Sequence, residues 1–376
     1  MQRLLHFFFP ENDLALASWK SRYTAPDNAV RLRKSGETLP IWFADVHDCF
    51  LSTGVNADWY RKITALFGEI PFPYDHNPAD TVPAPWGWSL ASRQAFIDAG
   101  FPQSALPDDA YLDYVRQLSH RRTAADVAKK LAASLPFSVA PAAVERTAFS
   151  AVKDFVLAHP QGVILKLPWS SSGRGLVAVD AAGVDKQQSM IEGMIGRQGS
   201  IMAEPRYTKK ADFALLYTIK EGKCTFDGYS LFNTERIGSY SGNVLASPET
   251  LHDEIAALLP EGQLDAVRNA LIPILESVAP NYSGPLGVDM MSVEGDEFSF
   301  VPVVEINFRM TMGHVCHRFY NRFVEPGSRG NFYIRPASSD LPAGFVDVDV
   351  QNQRIKSGKL DMAQPGSYFS FVVEIG

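Results

Sequence analysis

Two β-type runs joined by one turn, GPLGVDMMSVEGDEFSFVPVVEINFR from Gly284 to Arg309, constrain this chain more than any other stretch. Each run reads as a strand, and the turn falls at Glu294 to Asp296. Side chains two apart on a strand share a face, so Glu305 and Asn307 point the same way, with Asp289 on the neighbouring run. Two carboxylates and an amide oxygen on adjacent strands make a hard oxygen donor set suited to Mg²⁺ that also bridges nucleotide phosphates. Arg309 extends the alternation, and its guanidinium suits a carboxylate or a transferring phosphoryl group. A solvated strand face, or a buried pair of Arg309 with Glu305, accounts for the same residues without any ligand.

A second β pair lies upstream. In VILKLPWSSSGRGLVAVD, Val163 to Asp180, a lysine, Lys166, ends the first run, and six small or flexible residues, Ser170 to Gly175, separate it from the second. Gly and Ser let the backbone approach a ligand, and successive N–H groups with serine hydroxyls suit phosphate oxygens. The stretch does not match GxxxxGK[ST], and protein kinases place their glycine loop before the strand lysine rather than after it. Taken alone, an ordinary mobile hairpin built from turn formers explains it better than a phosphate cradle does.

The 376 residues are enough for two or three structural units around a substantial core. With 42 acidic against 35 basic residues the net charge is -7, so the chain as a whole lacks the basic footprint of a nucleic-acid binder. Cys49, Cys224 and Cys316 are scattered and form no CxxC pair, which points away from a disulfide framework or structural zinc and toward a reducing, cytoplasmic setting. No run of about 18 apolar residues occurs, so neither membrane spanning nor secretion is expected.

Residues 1 to about 90 read as a small α/β lobe: a strand at Leu4 to Phe9, then aromatic, proline-punctuated segments. From Ser89 the text turns helical, through SLASRQAFIDAG and DYVRQLSHRRTAADVAKKLAASL, into a linker near Pro136 to Pro141. After the lysine hairpin come a polar helix at Lys186 to Gly196, a strand SIMAEP, a β pair FALLYTIKEG and KCTFDGYSLFN, and a helix from about Leu264 to Val278.

In that order, strand lysine, small-residue loop, strand ending in Glu204, Asp289 and the EIN motif, the chain resembles the ATP-grasp superfamily over roughly residues 115 to 320. The resemblance implies an α/β (α+β) ATP-grasp fold with an N-terminal pre-ATP-grasp lobe at 1–114, a central and lid subdomain at 115–210, and a C-terminal subdomain with the metal site at 211–376. It implies ATP and Mg²⁺ as cofactors. As in D-alanine:D-alanine ligases and biotin carboxylases, Lys166 would contact the α and β phosphates, and the loop Ser170, Ser171, Ser172, Gly173, Arg174, Gly175 would close over them. Glu204 would meet the adenine, Asp212 the ribose, and Asp289, Glu305 and Asn307 the metal, while Arg309 occupies the arginine position of an EINPR-like motif. Arg121 is the choice for an additional phosphate cation near the entry to the central domain, although a solvated charge at a helix start explains it equally.

The chain departs from the pattern at Gly287, where D-alanine:D-alanine ligases carry arginine; Arg309, Arg174 and Arg236 are the candidates to supply that charge. The implied reaction is an ATP-dependent ligation of a small-molecule carboxylate to an amine through an acylphosphate, with Lys166, Arg174 and Arg309 as catalytic residues. A phosphotransferase and a non-catalytic nucleotide-binding protein are the alternatives. The expected partners are small carboxylate and amine substrates and a second copy in a homodimer, with no nucleic acid and no membrane. PENDLALA, PWGWS (Pro85 to Ser89) and the segment with His314, His317, Arg318 and Arg322 are candidate walls for substrate pockets, with packing or surface hydrogen bonding as their plainer explanation.

Overall fold

A computed structural model describes residues 3–170, 175–235, 239–295, 298–338 and 342–376. The chain divides into two units, one of Met1–Asp113, Ser241–Leu251 and Arg309–Gly376, the other of Tyr114–Tyr240 and His252–Phe308.

The first unit opens with a parallel sheet of β1 (Arg3–Phe7), β2 (Cys49–Phe50), β3 (Phe72–Pro73) and β4 (Thr81–Pro85) in the order β3-β2-β1-β4. Pro83 and Pro85 cannot donate to a ladder, which fits β4's place at an edge. Leu5, Cys49, Phe96 and Phe101 pack the core of this sheet. The helix Leu90–Asp98 begins where Ser89 and Ser92 cap each other in a reciprocal box.

In the second unit, β5 (Val144–Arg146), β6 (Val163–Lys166), β7 (Leu176–Val179) and β8 (Ile201–Pro205) form an antiparallel sheet in the order β5-β8-β6-β7. Val152 and Val156 of the helix Phe149–Leu157, and Ile191 and Met194 of Gln188–Gln198, close over Val163, Leu165 and Ile201. A long hairpin of β9 (Lys209–Lys220) and β10 (Lys223–Glu235) follows. It turns on Glu221 and Gly222, both at positive φ (52° and 73°), as a two-residue type I′ hairpin turn requires.

The chain then passes through β11 (Ser239–Leu245), whose later residues belong to the first unit, before the helix Gln263–Val278 and strands β12 (Gly284–Val293) and β13 (Phe300–Asn307). β12 pairs antiparallel with both β9 and β13. Phe213, Leu215 and Tyr217 alternate onto one face of β9, and the Tyr217 hydroxyl donates to the Arg268 carbonyl of the helix at 3.1 Å. That helix therefore covers this face, leaving Asp212, Ala214 and Leu216 on the other.

After Phe308 the chain returns to the first unit. β14 (Gly330–Pro336), β15 (Val346–Gln351), β16 (Arg354–Asp361) and β17 (Phe369–Ile375) run antiparallel in the order β14-β17-β16-β15. Phe319 and Phe323 of the helix Met312–Phe323 meet Trp42 edge-on, with centroids 5.8 and 5.5 Å away.

Candidate functional site

Lys166 is the last residue of β6 and is 3% exposed. Register places Glu204 of β8 opposite Ile164, so Lys166 and Glu204 are diagonal neighbours on one face. Their charges meet, Nζ to Oε1, at 2.6 Å. A lysine this deeply buried needs a counter-charge, and Glu204 supplies one here.

The loop after β6 is anchored at its base. Leu167 N–H donates to the Gly175 carbonyl at 3.0 Å, and Gly175 turns with φ 75°; a Cβ there would come within 2.8 Å of the Leu167 side chain. Trp169 is held by three bonds: its N–H to Gln198 Oε1 (2.9 Å), its carbonyl from Gln198 Nε2 (3.0 Å), and its indole N–H to the Arg116 carbonyl (2.9 Å). His120 meets the indole edge-on at 4.6 Å. Ser170 is buried. Ser171, Ser172, Gly173 and Arg174 lie outside the described residues, as does Arg236.

Arg121 ties this loop to the metal-type carboxylates. It opens the helix Arg121–Ser134 and is 7% exposed, so the solvated-charge explanation does not hold. Its Nε donates to the Leu167 carbonyl (3.0 Å), and its Nη2 to the Ser170 carbonyl (3.3 Å) and hydroxyl (3.1 Å). Its Nη1 lies 2.8 Å from Glu305 Oε2. One guanidinium thus satisfies the loop's first carbonyls and a carboxylate of the oxygen-rich strand face.

His120, just before it, caps the same helix by accepting the Arg122 N–H at Nδ1, 3.0 Å. Burial, and then the Arg122 charge, push its pKa down to about 4, which keeps the accepting nitrogen unprotonated at neutral pH.

On the other sheet, Asp289 faces Glu305 across β12 and β13, and Asn307 faces Gly287. Asn307 Nδ2 donates to Asp289 Oδ2 at 3.0 Å. Asp212 of β9 shares this face through the β9–β12 register and is held by Lys209 (2.5 Å) and the Thr234 hydroxyl (2.6 Å). Two carboxylates and an amide on adjacent strands fit a hard divalent cation whose remaining ligands come from phosphate and water. Among the described residues no cluster of three or more His, Cys, Asp or Glu side chains forms a self-sufficient metal cage.

Arg309 belongs to the first unit. Within the units, Glu305 pairs with Arg121, and Arg309 pairs with Asp13, Nη2 to Oδ2 at 2.6 Å. In PWGWS, Trp86 packs in the core: it is 4% exposed and meets Phe8 edge-on at 4.9 Å. Arg322 donates to the Ala44 and Glu69 carbonyls, 2.7 and 2.8 Å, and His317 bonds Asn321 at 3.1 Å. His314, 1% exposed, meets the Thr311 hydroxyl through Nδ1 at 2.9 Å within a helix cap, on the helix that also carries Arg318. Sequence reasoning missed Gln198 and His120, neither of which stands in a local pattern marking it, and it singled out Asp13 only as part of PENDLALA, without its pairing to Arg309.

No family model matches this chain, and neither does any curated protein. Solved structures do. Biotin carboxylase from Campylobacter jejuni is similar over all of this chain and 87% of its own, with a TM-score of 0.53 at 13% identity. The biotin carboxylase domain of Hydrogenobacter thermophilus 2-oxoglutarate carboxylase matches all of this chain and 86% of its own, with a TM-score of 0.52 at 10% identity. Phosphoribosylamine–glycine ligase from Thermotoga maritima matches 99% of this chain and 92% of its own, with a TM-score of 0.50 at 10% identity. These likenesses, running the length of the chain, establish that it has the ATP-grasp fold.

Proposed function

We propose that this chain is an ATP- and Mg²⁺-dependent ligase that joins a small-molecule carboxylate to an amine through an acylphosphate. The observation that carries the reading is Arg121, which bonds the base of the lysine loop and Glu305 at once and so joins a phosphate-type element and a cation-type element into one site. The fold adds support: the Campylobacter enzyme was solved as a β-γ-ATP complex and the Hydrogenobacter domain with MgADP and bicarbonate.

Lys166 would exchange Glu204 for phosphate oxygens, and Glu204 would then be released to the adenine amine. Asp212 would take the ribose hydroxyls. Asp289, Glu305 and Asn307 would hold Mg²⁺, which supplies charge neutralisation on the triphosphate. The loop from Ser170 through Ser171, Ser172, Gly173, Arg174 and Gly175 would exclude water from the acylphosphate, and Arg309 would hold the substrate carboxylate.

In the first step a carboxylate oxygen attacks the γ-phosphorus and ADP departs. In the second the amine attacks the acyl carbon and phosphate leaves with the C–O electron pair, the amine losing a proton. No protein nucleophile takes part, and positioning and charge stabilisation carry the rate.

Cys49, Cys224 and Cys316 are free and buried, which supports a reducing, cytoplasmic setting, and no helix among the described residues is long and apolar enough to cross a membrane. A homodimer is the assembly we expect, to be read by light scattering. The test of the reading is ADP release across amino acids and short peptides, with hydroxylamine present to trap the activated acyl group. An acyl hydroxamate is the expected product. A stable phosphorylated product without ligation would replace the ligase by a phosphotransferase, and nucleotide binding with no turnover would leave a non-catalytic protein.

A further inference from the structure

The first unit carries a cleft to which the ligation assigns no residue. It opens where three parallel strands begin, with Arg3 at the start of β1, His47 just before β2, and Glu69 and Ile70 just before β3. Tyr60 of the helix Ala57–Phe67 and Phe72, the first residue of β3, add aromatic walls around a volume of about 510 Å³. The frame is fixed by hydrogen bonds. Asp48 accepts the Leu4 N–H at 2.9 Å and the Asp45 N–H at 3.1 Å, and Asp45 accepts the His47 N–H at 3.2 Å, so the turn that presents His47 is tied to β1. Arg322 joins the two rims through the Ala44 and Glu69 carbonyls, 2.7 and 2.8 Å. The Tyr60 hydroxyl donates to the Pro71 carbonyl at 3.1 Å, which sets its helix against β3.

The ionisable side chains on this frame are unspent. Arg3 holds its guanidinium 5.4 Å from the centroid of the Phe72 ring. Among the described residues, neither that guanidinium, nor the His47 ring, nor the Glu69 carboxylate has a hydrogen-bond or ion-pair partner. A cation and a carboxylate thus line one cleft without neutralising each other. A plain anion drawn to Arg3 would meet Glu69, and a plain cation drawn to Glu69 would meet Arg3, whereas a zwitterion answers both. Tyr60, Ile70 and Phe72 offer the apolar area on which an uncharged side chain would settle. We propose that this cleft binds an α-amino acid with a large apolar side chain, its carboxylate on Arg3 and its ammonium on Glu69. The proposal does not rest on the ligase reading, since every residue it uses belongs to the first unit.

The experiment titrates L-phenylalanine, without nucleotide and at constant neutral pH, into the full chain isotope-labelled at its histidine rings. The NMR signal of His47, identified by its loss in His47→Gln, reports the cleft itself and is expected to move saturably. Arg3→Gln should raise the half-saturating concentration at least about tenfold for L-phenylalanine and less than about twofold for L-phenylalaninamide, which lacks the carboxylate. Glu69→Gln should weaken L-phenylalanine by the same factor and leave N-acetyl-L-phenylalanine, which lacks the ammonium, within about twofold. If Arg3→Gln does not fold, Arg3→Lys decides: it keeps the charge, loses the planar fork, and should weaken L-phenylalanine at least about threefold. A His47 signal that does not move, variants that bind L-phenylalanine as the wild type does, or N-acetyl-L-phenylalanine binding more tightly than the free amino acid would each overturn the proposal. So would an Arg3→Gln effect as large on the amide as on the amino acid.

Discussion

Neutralising Glu204 tests the site where its electrostatics are most exposed to measurement. Lys166 and Glu204 lie 2.6 Å apart with side chains 4% and 13% exposed. At an effective dielectric constant near 20 their gross attraction is about 6 kcal/mol, most of it spent against desolvation. Removing one partner of a buried pair costs about 3–5 kcal/mol because the other charge stays behind. Glu204→Gln keeps an oxygen acceptor for Lys166, which lowers the expected loss to about 3 kcal/mol. For a unit of this size that is a fall of about 6–12 °C in Tm. Adding Lys166→Met should restore most of it, since the variant then buries no unpaired charge. Thermal unfolding of wild type, both singles and the double, at neutral pH, gives the cycle. Saturating Mg·ADP should also recover part of the loss in Glu204→Gln by giving Lys166 phosphate oxygens. If Glu204→Gln melts within about 2 °C of wild type, or the two substitutions simply add, the buried pair is not holding this face together.

Two further outcomes follow from the same geometry. His120 titrates near 4 in the folded chain against about 6.5 unfolded, so its contribution is full above pH 6.5 and is lost as pH falls toward 4, about 3 kcal/mol in all. His120→Asn, which keeps a cap acceptor but does not titrate, should therefore lose less stability than wild type between pH 7 and 4.5 in urea unfolding; parallel profiles would refute this. Gly87→Ala should cost about 1–3 kcal/mol through overpacking against Asn12 and the Arg309 Cβ, read as a lower urea midpoint; no shift would mean the contact relaxes freely.

Much of the candidate site is legible in the sequence because its residues sit in regular strands. The period of two puts Glu305 and Asn307 on one face, and the β12–β13 register brings Asp289 opposite Glu305. Lys166 was legible as the last residue of a strand before a loop of small residues. The partners of these charges were not. Glu204 reaches Lys166 only through the β6–β8 register, and Arg121 meets Glu305 across 184 positions of chain. Asp13 lies 296 residues from Arg309, and no local pattern encodes a pairing made by the chain's return to its first unit. Likewise the long helical text after Asp113 breaks at Ser119 and His120, because His120 caps a new helix there instead of continuing the old one.

The most direct test of the account is calorimetric titration of Mg·ADP into the wild type, Lys166→Met, Glu305→Gln and Asp289→Asn, each confirmed folded by circular dichroism. Saturable, Mg²⁺-dependent binding to the wild type is expected, with each substitution weakening it at least about tenfold, or about 1.4 kcal/mol. The carboxylate variants should also lose the Mg²⁺ dependence. Absence of nucleotide binding in the wild type, or affinities unchanged in all three variants, would contradict the assignment of the nucleotide and metal site.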